Sequence, residues 1–503
     1  MLSSAAGYVV PMLVNFITTP LLIRALGQTA FGLQSLVAVV IGYLTFMDMG
    51  LDLPIIKLLA EDRARKDVES QNHLLSTTIQ LYMGIGILGM MSIVVLSNWL
   101  ARSVFQVPVD MISQAVTVFR LAGIGFIGSV GLSWGRAIAM GVQRFDLTYS
   151  VSVVLSTAGT LIGLGVVYAG YGVIGYVLVR VVFTSLTGPI YFLSTRHLLL
   201  GFRFQKGISK VTLRRVRGYV GYGTFNRIVG SLVSRLDQTL LGIWAGVAVA
   251  GIYAVPFLLV NSFGYMLAYM LGFIFPMASE LQSLGQMDRL RDIFIRASRF
   301  IAALAGLIFI PILVLGDLFL SLWVPTIALS AGGVLRLLAL AGYAGTLTAT
   351  LPNNVMVGLG KMRQFTIYGA IRAAVLAGSC FILIRPLGLE GAGWALLFTC
   401  SVDVVYLIIV LRRYLHIPPA QLLMHAYLRP MMLAFAFAGL AYLLRPLAIS
   451  WLGLSLVGGI LVSIYVIAGF SISIFGATEK RAVAEMWHMV TSKVHLFIKS
   501  DIT

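Results

Sequence analysis

Charge is what this sequence has least of. Only 11% of its 503 residues are Asp, Glu, Lys or Arg, against 59% that are hydrophobic. That leaves too little polar surface to cover a soluble protein of this length. There are two cysteines, Cys380 and Cys400, both inside apolar runs, which excludes a disulfide framework and a thiolate metal site. His73, His197, His416, His425, His488 and His495 lie at expected helix ends, in loops or in the tail. No span pairs two of them at ligand spacing, so no imidazole metal centre is expected. The opening MLSSAAGYVVPMLVNF lacks a basic n-region, and its apolar run is too long for a cleaved signal, so it reads as a retained first helix. Acidic residues are scarce as well, 18 against 36 Lys and Arg, for a net charge of +18.

That excess does not point to nucleic acid, because most of the basic residues fall in short loops. Apolar runs of about 20 residues each predict an all-α polytopic membrane protein. Fourteen helices are expected near 5–24, 31–57, 73–101, 113–140, 147–168, 172–196, 218–245, 248–278, 293–316, 330–357, 364–385, 389–411, 424–445 and 449–475. Four basic residues, Arg24, Arg102, Arg385 and Arg445, fall in outside loops. Six, Arg120, Arg180, Arg227, Arg235, Arg336 and Arg372, fall within spans. The remaining 26 of the 36 lie on the side of the N-terminus, which places both termini in the cytoplasm of a bacterial inner membrane.

An internal repeat organises the spans. A shift of 219 residues carries Gly27 onto Gly246, Gly32 onto Gly251, Glu61 onto Glu280, Gly141 onto Gly360, Arg144 onto Arg363 and Tyr149 onto Tyr368. After a one-residue gap, Gly170 meets Gly388 and Gly175 meets Gly393. Each repeat holds six helices, an even number, so the two halves enter the membrane in the same sense and are related by an axis along its normal. The expected organisation is a six-helix lobe at 1–200, a basic cytoplasmic connector at 201–217 and a second six-helix lobe at 218–415. Two additional helices at 416–475 and an amphipathic tail at 476–503 follow. The tail places Val483, Met486, Trp487, Val490, Val494 and Phe497 on one face, as an interfacial helix does. The connector reads as an anchor to anionic headgroups.

Helix seven carries the densest polar pattern. Arg227, Ser231, Ser234 and Gln238 follow helical spacing, with Arg235 on one border and Asn226 and Asp237 on the other. Charged side chains at that depth normally face a water-filled cavity or a partner, so this helix is expected to line a polar lumen opposite helix one.

The segments PLLIRALGQTAFGLQSL at 20–36, DMGLDLPIIKLLAE at 48–61, GVQRFDLTYSVSVV at 141–154, SRLDQTLLGIWAGVAVAGIYAVPFLL at 234–259 and PMASELQSLGQMDRLRDIFIRASR at 276–299 resemble one family. They are similar to bacterial polysaccharide exporters, of the O-antigen-type lipid-linked oligosaccharide flippases. These belong to the multidrug/oligosaccharidyl-lipid/polysaccharide (MOP) flippase superfamily. The resemblance implies two facing six-helix bundles that alternate between inward-open and outward-open states. It also implies a cargo, an undecaprenyl-diphosphate-linked oligosaccharide carried to the periplasmic leaflet, and an ion gradient to drive it. Membrane lipids and, beyond them, a polysaccharide polymerase and assembly proteins are the implied partners. This chain begins without the short basic lead usual in that family.

Such a cargo needs a cationic cavity for its diphosphate, and arginine suits it because its planar fork donates paired hydrogen bonds and stays charged. The candidates for substrate binding are Arg227, Arg372, Arg180, Arg24, Arg235, Arg120 and Arg336. Arg120 and Arg336 sit nearer the outer surface, where snorkelling competes with a cavity role. Asp48 and Asp52, four residues apart, are candidates for a coupling proton or sodium site or else counter-charges to arginines. Asp403 is treated in the same way, and Asp237 is expected to pair with an arginine. Pro11 and Pro20 kink helix one, and Tyr219, Tyr222, Tyr343 and Tyr368 are candidates for stacking on sugar. Other than a coupling ion, no cofactor is expected. A multidrug or cation antiporter of the same superfamily is the alternative, disfavoured by the arginines. A polysaccharide polymerase or ligase is disfavoured by short outside loops, so no enzymatic activity is expected.

Overall fold

The computed structural model describes residues 2–44, 50–199, 201–217, 230 and 235–472. Among these there is no strand, and ten helical stretches are long and apolar enough to cross a membrane. Two of the ten contain a pair of helices each. Gly170 (φ 92°) interrupts Asp146–Leu198, and Gly388 (φ 54°) interrupts Met362–Leu415. With Gln28–Leu44 and Leu236–Trp244 as the described parts of two more, each of the fourteen positions expected from hydropathy contains helix among its described residues.

In chain order the helices are α1 (Leu2–Leu26), α2 (Gln28–Leu44), α3 (Asp52–Ala64), α4 (Val68–Val104), α5 (Val109–Gly141), α6 (Phe145–Val166), α7 (Gly172–Thr195) and α8 (Lys210–Arg217). They continue as α9 (Leu236–Trp244), α10 (Val247–Met270), α11 (Ile274–Ser283), α12 (Met287–Trp323), α13 (Ala328–Gly358), α14 (Met362–Leu415), α15 (Pro419–Leu447) and α16 (Trp451–Ser471).

The turns between helices repeat. The chain reverses through a positive φ at Gly27 and Gly246, at Lys66 and Gly285, at Gln143 and Gly360, and at Gly170 and Gly388. The first two pairs keep the 219-residue shift and the last keeps 218. The third stands at 217, because α6 and α14 start directly after Arg144 and Lys361. The matches of Gly141 with Gly360, Arg144 with Arg363 and Tyr149 with Tyr368 are therefore out of structural register by two residues. Gly32 and Gly251, equivalent by the shift, touch each other. A Cβ on Gly251 would lie 2.7 Å from Gly32 Cα, and one on Gly32 would lie 2.1 Å from the Val247 carbonyl oxygen.

Contacts divide the described chain into two compact units. One takes residues up to Ser262 together with Met362–Thr399, and the other takes Phe263–Lys361 together with residues from Cys400 onward. These units are defined by contact, whereas the six-helix lobes above are defined by sequence similarity.

In the first unit α5 is central, packing on α4 and α7. Small residues let α5 and α7 approach backbone to backbone. A Cβ on Gly128 would meet Ser185 Oγ at 2.2 Å, and one on Gly188 would meet the Gly131 carbonyl oxygen at 2.4 Å. Without a hydrophobic drive between helices in lipid, such close packing supplies much of the association energy. In the second unit α12 holds the same place, with α13 and α15 against it. The two helices outside the repeat join this core through Tyr465, whose hydroxyl donates to the Ala303 carbonyl at 2.8 Å and whose ring meets Phe437 edge-on at 4.6 Å.

The connector is strapped to the first unit. The backbone N–H groups of Arg203, Gln205, Gly207 and Ser209 donate to Asn72 Oδ1, Ser76 Oγ, Gln80 Oε1 and Thr77 Oγ1 at 2.9–3.3 Å. These side chains form a polar face on the first turns of α4. Arg215 closes the strap with a 2.8 Å salt bridge to the buried Asp62, and that hydrogen-bonded carboxylate raises the guanidinium above its ordinary pKa.

Three expectations are corrected here. Helix two is not continuous over 31–57, since Gly50 (φ 71°) breaks the chain ahead of α3. Asp52 opens α3 beyond this break, and Asp48 lies outside the described residues. Helix nine does not stop at 316: α12 runs to Trp323 and carries Asp317 inside it. Arg235, at φ −135°, stands outside the helical region at the start of α9, so the polar stripe of helix seven does not continue through it as one regular helix.

Candidate functional site

A cavity of about 240 Å³ opens in the first unit between α2, α5 and α7. Gln34, Val37, Ala38, Ile41 and Gly42 line it from α2, Gly125 and Ser129 from α5, and Tyr176, Val177, Arg180, Val181 and Thr184 from α7. The glycines at 42 and 125 remove side-chain bulk where the helices would otherwise close. Arg180 is the charge in this lining. Its Nη1 donates to Thr160 Oγ1 at 2.8 Å and to the Ser156 carbonyl at 3.3 Å, both on α6. These bonds hold one guanidinium nitrogen and leave Nε and Nη2 as a paired donor edge. The residue lies eight positions after the start of α7, about 12 Å along the axis at 1.5 Å per residue, too deep to reach water easily by snorkelling.

Next to the cavity, α9 is stitched to α2. Gln238 Nε2 donates to Ser35 Oγ at 3.1 Å, and the Tyr43 hydroxyl meets Thr239 Oγ1 at 2.6 Å. Arg235 packs along Gly42, with Nε 3.8 Å from where a Cβ there would lie. The described C-terminal part of helix seven, Leu236–Trp244, thus meets helix two. Asp237 is buried in the first turn of α9. Its carboxylate accepts from the Gln238 N–H at 2.8 Å and from the Tyr253 hydroxyl. The neighbouring Arg235 guanidinium acts on the same carboxylate through its charge.

Elsewhere the candidates part company. Arg24 and Arg120 are exposed, and Arg372 is half-buried on α14. Arg336 is held in an ion triad of the second unit, at 2.7 Å from Asp317, which also pairs with Arg445. One carboxylate is thus shared by two guanidiniums near the C-terminal end of α12. Asp403 is fully buried on α14, its Oδ2 4.0 Å from where a Cβ on Gly345 would lie. Asp52 is half-buried at the start of α3, accepting from the Leu53 N–H at 2.9 Å. Tyr368 is buried, so its ring is not offered to a sugar. Arg227, Asp48, the stripe residues Ser231 and Ser234, Asn226, Tyr219, Tyr222 and the tail lie outside the described residues. Ser156 and Thr160, missed from sequence, were signalled only by their i, i+4 spacing on α6. Asp317 stands one residue beyond the apolar run that ends at 316, where its charge reads as the end of the span.

Three comparisons bear on this architecture. A "Putative O-antigen transporter" of Shigella flexneri is 20% identical over 398 residues, which cover 77% of this chain and 90% of that protein. The fold resembles the lipid II flippase MurJ in an inward closed conformation, with a TM-score of 0.69 at 10% identity over 94% of this chain and 98% of that one. It also resembles an inward-facing multidrug resistance MATE family transporter of the MOP superfamily, with a TM-score of 0.64 at 13% identity over 86% and 95% of the two chains. Two known transporters thus share the helical scaffold that frames the Arg180 cavity. The model of the family described as "Polysaccharide biosynthesis protein" matches residues 1–282, more than half of the sequence and all of the elements that line the cavity, and the chain belongs to that family.

Proposed function

We propose that this protein is a flippase that moves an undecaprenyl-diphosphate-linked oligosaccharide from the cytoplasmic to the periplasmic leaflet of a bacterial inner membrane. It works by alternating access coupled to an ion gradient, with both termini cytoplasmic. The observation that carries the reading is Arg180, held through Nη1 by Thr160 and Ser156 in the lining of a cavity in a member of a polysaccharide family. A diphosphate takes paired hydrogen bonds from a guanidinium, and arginine keeps its charge at any relevant pH. The cavity, about 240 Å³, is smaller than the ~300–1,000 Å³ typical of drug-sized ligands. It suits the charged head of the cargo, while the polyprenyl tail stays in lipid. Arg227 and Arg372 are the further arginines assigned to this cargo, and a polymerase and assembly proteins take the product onward. The chain transports and does not catalyse.

The test is cell-surface polysaccharide in a host lacking its own exporter. Arg180→Ala should lower export at least about tenfold, as loss of a charge-assisted phosphate contact does, and Arg180→Lys should recover part of it. Full export by Arg180→Ala at normal protein level would remove the residue from the mechanism. Purified protein in liposomes should neither cleave nor polymerise a lipid-linked glycan. The fold is also that of a multidrug transporter, so energised vesicles should be tested for efflux of a cationic dye. Efflux without polysaccharide export would favour the antiporter.

A further inference from the structure

The second unit has a basic cavity that the transport cycle above does not use. It measures about 300 Å³ and is lined by Asp292, Arg296 and Arg299 of α12 and by Gln421, His425 and Arg429 of α15, among others. Positions 292, 296 and 299 share one face of α12, and 421, 425 and 429 share one face of α15. Among the described residues no salt bridge engages any of the three guanidiniums. Their neighbour Arg291, by contrast, is occupied by Asp288 at 2.6 Å and by the Leu415 carbonyl at 2.6 Å. Three guanidiniums against one carboxylate leave two positive charges around one cavity, a cluster that repels itself unless an anion enters.

Depth narrows the anion. Arg299 stands 24 residues before the end of α12 at Trp323, about 36 Å at 1.5 Å per residue. The hydrocarbon of a bilayer is ~30 Å thick, so the cavity lies at headgroup level, on the side where the basic loops project. Arg296, His425 and Arg429 are exposed and Arg299 is half-buried, so the cavity is open at the surface.

We infer that this cavity binds the phosphate of an anionic phospholipid headgroup, seated where α12 meets the added helix α15. The inference rests on the proposed orientation only for the choice of leaflet. Occupancy joins a helix of the repeat to one outside it through a shared counter-ion.

The experiment uses the purified full-length chain, as wild type, as R296Q/R299Q/R429Q and as the charge-keeping R296K/R299K/R429K. Each is placed in nanodiscs of phosphatidylcholine alone or with phosphatidylglycerol, and in detergent with inorganic phosphate. Native mass spectrometry reads the phosphatidylglycerol retained, and intrinsic fluorescence reads the melting temperature. The wild type should retain phosphatidylglycerol and melt higher in it. The glutamine variant should bind on the order of a hundredfold more weakly, with the lysine variant in between. Equal retention by the wild type and the glutamine variant would overturn the site. Stabilisation by inorganic phosphate that phosphatidylglycerol does not reproduce would overturn the lipid assignment in favour of a free anion. Should the glutamine variant not fold, R429Q alone is judged by the same criterion. Polysaccharide export depends on Arg180 and not on this binding, so the two readings fail separately.

Discussion

Arg180 and Asp403 illustrate two ways of keeping a charge inside a bundle of apolar helices. Arg180 is half-buried and tied to a hydroxyl and a carbonyl of the next helix, facing a cavity. Asp403 is fully buried and faces Gly345 at the point where α13 widens into a π-helical turn over Thr346–Thr350. Such turns offset the backbone carbonyls from the regular ladder and recur at functional sites. A buried carboxylate beside one has the chemistry to exchange a proton or hold a cation. Asp403→Asn keeps the shape and removes that exchange. If Asp403 couples transport, the variant, at unchanged protein level, should export polysaccharide without dependence on the proton or sodium gradient, or not at all. Export with the wild-type ion dependence would leave Asp403 a structural group.

At the scale of elements, close approach of α5 and α7 makes a sharp comparison. A Cβ on Gly188 would lie 2.4 Å from the backbone oxygen of Gly131, whereas one on Gly131 would meet nothing within 4 Å. Gly188→Ala should therefore cost about 1–3 kcal/mol through overpacking, read as a lower melting temperature in detergent. Gly131→Ala should be neutral or slightly stabilising. Equal effects would mean that the two helices are free to move apart.

Elements of this kind were largely legible in the sequence. Hydropathy located the spans because lipid demands long apolar helices, and the recurrent glycines marked turns that need a positive φ. Arg180 was legible as a charge at depth. The rest depended on tertiary partners. The break at Gly50 hides in a segment as apolar as a helix, and the slip from 219 to 217 between Gln143 and Gly360 leaves spurious identities in the longer register. The docking of the connector on Asn72, Ser76, Thr77 and Gln80 uses backbone N–H groups, which carry no residue signature. The headgroup cavity joins arginines more than a hundred residues apart, which in sequence carry only a topology signal.

For the whole molecule, the distribution of Lys and Arg makes a claim about orientation that one exposed position can check. Lys206 lies on the exposed side of the strapped connector, and both native cysteines are buried. Lys206→Cys should react with a membrane-impermeant maleimide in inverted vesicles and stay unlabelled in intact cells, and the reverse pattern would overturn the cytoplasmic placement of the connector. The make-up of the first unit bears on how the chain is built. That unit needs Met362–Thr399 as well as everything up to Ser262, and Trp244 meets Phe381 and Arg385 within it. A ribosome emitting this chain therefore cannot finish the first unit before Phe263–Lys361 of the second has been made. Biogenesis has to pass through a stage in which lipid, or an insertase, shelters a surface still waiting for its own late-made helix.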